Sequence, residues 1–84
     1  MDLKVLYFAG LREALGCGEE KVALPVEAIT VGGLRSYLAS RGEAWAPLAS
    51  HRNLRAAVNQ RMVGPEAPLA AGDEVAFFPP VTGG

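Results

Sequence analysis

Two adjacent prolines fix where the last strand of this chain must stop. Glu74-Val75-Ala76-Phe77-Phe78 reads as a strand, and Pro79-Pro80 follows it directly. Proline has no N–H to give to a sheet ladder, so pairing ends at about Phe78. Val81-Thr82-Gly83-Gly84 then runs on extended, reaching roughly 13 Å at about 3.3 Å per residue. Folding has no use for a diglycine at that tip. Glycine lacks a Cβ, so other atoms can approach its backbone and carboxyl closely. The pattern therefore predicts a slender tail over 79–84 that threads the active site of another protein. The carboxylate of Gly84 is its expected working group, and Gly83 gives access to it.

Upstream, apolar periodicity sets the remaining elements. Leu3 to Phe8 has the length and richness of one buried strand. Gly10 opens a short helical piece, Leu11 to Leu15, which Gly16-Cys17-Gly18 ends. Glu20 to Leu24 alternates and reads as a second strand, stopped by Pro25. Thr30 is a suitable N-cap for a long helix, with Val31, Leu34, Tyr37 and Leu38 on one face and Gly42 closing it. Gly32 and Gly33 weaken its first turn, and Gly33 takes the place of a capping-box acid. Glu43 to Asn53 reads as a loop, with Trp45 and Leu48 plugging the core or its rim. Leu54 to Val58 is a third strand, Asn59-Gln60 a tight turn, and Met62-Val63 a short pairing. Gly64 to Asp73 is rich in Gly, Pro and Ala and is expected to run over the surface. One long helix on one face of a small mixed sheet is an α+β arrangement, with a short extra helix after the first strand. Eighty-four residues make a single domain, 1–84.

Strand alternation separates two faces. Val5, Tyr7, Val75 and Phe77 share the side that the helix covers. Lys4 and Glu74 mark the solvent side, because a small core rarely buries an unpaired charge. Leu6, Phe8, Ala76 and Phe78 fall on that solvent side too. If the first and last strands are neighbours, these residues form a contiguous apolar patch beside the root of the tail. Such a patch marks a protein interface, unless the run from Gly64 to Asp73 folds over it. The interface is the expectation carried forward.

Several function classes drop out on composition. The formal net charge is −1, from eight basic and nine acidic residues spread along the chain, and no basic run supports nucleic-acid or anionic-membrane binding. No apolar stretch is long enough to span a bilayer. One cysteine makes neither an internal disulfide nor a zinc site, and no metal site is expected. The start, Met1 to Tyr7, reads as a strand rather than a leader, which places the protein in the cytoplasm. Cys17 lies in a glycine-flanked turn with no activating neighbour and is read as an incidental surface thiol. His51 is read as solvated. Asp73 before a strand is read as a satisfier of local amides rather than half of a carboxylate pair.

Three segments carry a resemblance: Lys4-Val5-Leu6-Tyr7-Phe8-Ala9 with Leu11-Arg12-Glu13, then Ala57-Val58-Asn59-Gln60, and above all Gly72 to Gly84. Over its whole length the chain resembles the small-subunit family of molybdopterin synthase, ubiquitin-like sulfur carriers of β-grasp fold. The resemblance implies that a partner adenylating enzyme uses ATP to join the Gly84 carboxyl to AMP. A sulfurtransferase-derived sulfur then replaces the adenylate, giving a thiocarboxylate. It also implies that the tail enters the large subunit, in an assembly of two large and two small subunits, where it donates sulfur for the dithiolene of molybdopterin. Docking would run through Phe8, Met62 and Phe78, with Pro79, Pro80, Val81 and Thr82 lining the way in. The chain would then be no enzyme on its own and would bind no permanent cofactor. The same tail would also serve a carrier for thiamin or tRNA thiolation, a ubiquitin-like modifier that ends as an isopeptide, or a passive β-grasp binding module.

Overall fold

A computed structural model describes residues 1–50 and 53–80. Among these residues eleven elements follow one another: β1 (Asp2–Tyr7), α1 (Ala9–Leu15), β2 (Glu19–Ala23), β3 (Ile29–Thr30), α2 (Val31–Ala39), a 3-10 turn (Glu43–Trp45), α3 (Pro47–Ser50), β4 (Arg55–Val58), β5 (Arg61–Val63), β6 (Pro68–Leu69) and β7 (Glu74–Phe78). The main sheet has five strands in the order β2-β1-β7-β4-β5. β1 and β7 run parallel at its centre, and the other pairs are antiparallel. This is the α+β, β-grasp arrangement that the resemblance implies.

Alternation decides what is buried. On β1, Leu3, Val5 and Tyr7 point into the core. On β7, Val75 and Phe77 do the same. They meet Leu11 of α1, Val31, Leu34 and Leu38 of α2, and Leu48 of α3 in one cluster. Thr30 caps α2 as its sequence position suggests, with its hydroxyl accepting from the Gly33 N–H at 3.1 Å. The N–H groups of Val31 and Gly32 donate to Ala67 and Pro65, so the segment after β5 passes against the first turn of the helix. A Cβ on Gly32 would lie 3.2 Å from the Pro65 oxygen, and one on Gly33 would lie 2.8 Å from Ile29 Cγ1. The two glycines that weaken the helix are therefore what lets its neighbours close on it.

Four expectations need correction. Tyr37 is exposed, because at about 100° per residue it lies roughly 90° round the helix from the centre of the Val31–Leu34–Leu38 stripe. The helix closes at Ser40, not Gly42: the Ser40 N–H and hydroxyl both bond to carbonyls of the last turn, Tyr37 among them. The stretch from Glu43 to Asn53 carries a 3-10 turn and α3 rather than loop alone. The run from Gly64 to Asp73 holds β6, which pairs with β3 and buries Leu69. That pairing keeps the run on the helix side, away from the open side of the sheet.

Candidate functional site

The open side of the sheet is assembled by register. Leu6 sits opposite Ala76, Ala76 opposite Ala57, and Ala57 opposite Met62, so one row of small and apolar side chains crosses four strands. Phe78 ends β7 beside this row and faces Arg55 across β4. Phe8 continues β1 past its last paired residue, and its N–H donates to the Phe77 carbonyl at 3.2 Å. Phe8 is 45% exposed and Met62 63%. Leu6, Ala57, Ala76 and Phe78 are half-buried, as are Pro79 and Pro80 where the chain leaves the sheet. Phe8, Met62 and Phe78 thus share one face, Met62 level with its central row and Phe8 and Phe78 at the end where Pro79 and Pro80 leave the sheet. Val81, Thr82, Gly83 and Gly84 lie outside the described residues, and so does His51.

Charge rims the opposite end of the face. The Lys4 ammonium lies 3.4 Å from Glu19 and 4.0 Å from Glu74. Exposed pairs of this kind contribute little to stability. They leave an apolar centre with a mixed-sign border, the anatomy of a protein interface. Asp73 accepts from the Ala70 N–H at 2.8 Å and from the Asn59 side chain at 3.0 Å, and Glu74 pairs with Lys4, so the two acids do not form a carboxylate pair. Asn59 and Gln60 have φ of +50° and +69°, as a tight two-residue hairpin turn requires. Cys17 is half-buried and donates to the Glu19 carbonyl at 3.3 Å.

The covered side holds a polar network that sequence reasoning missed. The Tyr7 hydroxyl donates to Glu20 Oε2 at 2.7 Å. Arg41 donates to both Glu20 oxygens, at 3.0 and 2.7 Å, and its guanidinium lies 3.8 Å over the Trp45 ring. Bonding from Arg41 holds the Glu20 carboxyl below the usual glutamate range. Bonding to Glu20 in turn raises the Arg41 pKa. Burial, then the bond to Glu20, pushes the Tyr7 phenol well above its ordinary value. One signal was available: Glu20 opposes Val5 on the core side of β2, where an acid needs partners.

Ala9 breaks a local rule at the tail end of the molecule. Its φ is +55°, a region that costs a residue with a Cβ roughly 1–2 kcal/mol.

No helix among the described residues is long and apolar enough to cross a membrane. The ThiS family model matches residues 5–84. The chain is 48% identical to the molybdopterin synthase sulfur carrier subunit of Escherichia coli (strain K12), over 98% of this chain and 99% of that one. A solved structure of a putative molybdopterin converting factor, subunit 1, from Pyrococcus furiosus is similar at 30% identity. It has a TM-score of 0.81 and covers 96% of this chain and 99% of its own. SAMP1 from Haloferax volcanii, a small archaeal modifier protein, is similar at 28% identity and a TM-score of 0.81, over the full length of both chains.

Proposed function

The chain belongs to the ThiS family, and from that membership we propose that it is a sulfur carrier of molybdenum-cofactor biosynthesis, the small ubiquitin-like partner of a molybdopterin synthase large subunit. It is not a catalytic enzyme by itself. Full-length likeness to the Escherichia coli carrier supports the pathway. The observation that carries the site is the half-buried apolar row ending in exposed Met62, with exposed Phe8, half-buried Phe78 and Pro79-Pro80 beside it, which gives a partner a grip at the root of the tail.

The chemistry assigned to Gly84 follows from its lack of a side chain. A free carboxylate is a poor acyl electrophile. Attack of the carboxylate on ATP, on the adenylating enzyme, forms an acyl-adenylate and releases pyrophosphate. A persulfide carried by a sulfurtransferase then adds to the open carbonyl and AMP leaves; a thiol cleaves the resulting acyl disulfide, which frees the thiocarboxylate and leaves a disulfide on the sulfur donor. The product thiocarboxylate carries the sulfur into the large subunit. Splitting one hard substitution into two easier ones is the usual gain of covalent activation. General acids, bases and oxyanion donors come from the partners, so the carrier acts as a group-transfer cofactor made of protein, with none bound of its own. Two large and two small subunits give one carrier per active site. Dependence on ATP and on these enzymes supports a cytoplasmic site for the cycle.

Intact-mass measurement of the protein from its own cell tests the reading. A fraction should carry sulfur in place of one oxygen, and fragmentation should place it on Gly84. Deleting Gly84 should abolish sulfur transfer, while the melting curve stays that of the full chain. Sulfur found on Cys17 instead would sink the assignment. A ladder of isopeptide-linked proteins in place of the thiocarboxylate would favour the modifier role named for SAMP1.

A further inference from the structure

Ala9, the first residue of α1, takes a backbone angle that its methyl disfavours. Among the described residues, every other position with positive φ holds glycine or a side-chain amide: Gly16, Gly42, Gly72, Asn59 and Gln60. Glycine meets such an angle without cost, the short amide of Asn59 softens it by local bonding, and Gln60 takes it because a two-residue hairpin turn demands it. Ala9 has none of these reasons. The residue before it, Phe8, is fixed on both sides of its backbone. Its N–H donates to Phe77 and its carbonyl accepts from the Arg12 N–H at 3.3 Å. Its ring, by contrast, stands nearly half in solvent, so the backbone fixes where its Cα–Cβ bond starts while little packing holds the ring. A strained residue persists where surrounding structure over-determines it, and such residues gather at functional sites.

We propose that Ala9 is a positioning residue for docking: its restricted backbone pre-sets Phe8, beside Phe78 and the root of the tail, in the pose that the large subunit receives. This rests on the reading above that the open face docks. A glycine at this position would reach the same angle with less strain. It would also open backbone basins closed to alanine, and binding would have to order the junction again. Order already present in the free protein is affinity that need not be spent. An asparagine accepts the left-handed region and keeps a Cβ, so it should preserve the restriction.

Three single variants of the full chain decide, each measured for affinity to the large subunit by calorimetry and for thermal melting. Ala9→Gly should melt near the parent, because strain relief and added unfolded-chain freedom oppose each other, yet bind roughly two- to fivefold more weakly. Ala9→Asn should bind like the parent. Phe8→Ala should weaken binding by about tenfold or more. If Phe8→Ala weakens binding and Ala9→Gly does not, positioning is overturned and docking stands. If Phe8→Ala binds like the parent, docking itself fails and the proposal with it. Equal losses in the Gly and Asn variants would mean that the methyl touches the partner, which also overturns positioning. So would an Ala9→Gly chain whose weaker binding is fully matched by lost stability.

Discussion

Phe77 and Phe78 are neighbours in the chain and belong to different environments. Phe77 is almost fully buried, stacked 6.4 Å from Tyr7 beneath the helices. Phe78 lies on the open side with Leu6, Ala76, Ala57 and Met62. The same strand supplies both, and only the two-residue period of the backbone separates them. The covered side resolves each polar group it takes in, as the Tyr7–Glu20–Arg41 network shows. Among the described residues, the open side leaves an apolar row with no layer over it. Hydrophobicity alone therefore does not mark a core; the pairing partner and the layer above decide.

The widest separation should come from stability. Phe77→Ala empties a closed site and should cost about 3–5 kcal/mol, a large share of what a domain of this size holds. Denaturant melts measure it, and a variant that folds as well as the parent would break the contrast. Phe78→Ala should instead cost about 2–4 kcal/mol of affinity for the large subunit, with melting nearly unchanged. Calorimetry of the complex reads this, and a melting loss without a binding loss would invert the two faces.

Glu20→Gln sharpens the covered side. It removes a charge-assisted bond to Arg41 and should cost about 1–3 kcal/mol at neutral pH. Because the folded carboxyl titrates below its unfolded value, this stabilisation is present above the unfolded pKa. It fades as pH falls through the folded one. Melts of parent and variant should therefore converge in acid, and a gap that widens there would refute the assignment. The smallest effect should come from Cys17→Ser, which should leave both sulfur transfer and melting within error of the parent.

Much of this was legible in the sequence where one local rule governs. β7 was bounded by Pro79, the Thr30 cap by its hydroxyl, and the open-side placement of Phe8 and half-buried Phe78 by alternation from Lys4 and Glu74. What escaped depends on partners far away in the chain. β6 is two residues long and has no period of its own; it exists because β3 lies beside it. The Glu20 network joins residues 13 and 21 positions apart. The glycines of α2 read as weak points until Pro65 and Ile29 are seen against them. Ala9 gave no warning at all, since alanine is ordinary in every pattern that sequence reasoning uses.

The place of β7 in the sheet order has a mechanical consequence. A tail seated in another protein is a handle, and any pull on it runs along β7 from Pro79. β7 is clamped on both flanks, by β1 and by β4, and the pull lies along the strand axis. The bonds of both ladders are then loaded together, in shear, rather than opened one after another like a zip. An edge strand such as β5 would peel. If the tail works as proposed, its load falls on a strand held on both flanks, so tugging on the tail should extract the tail from its partner before it unravels the domain.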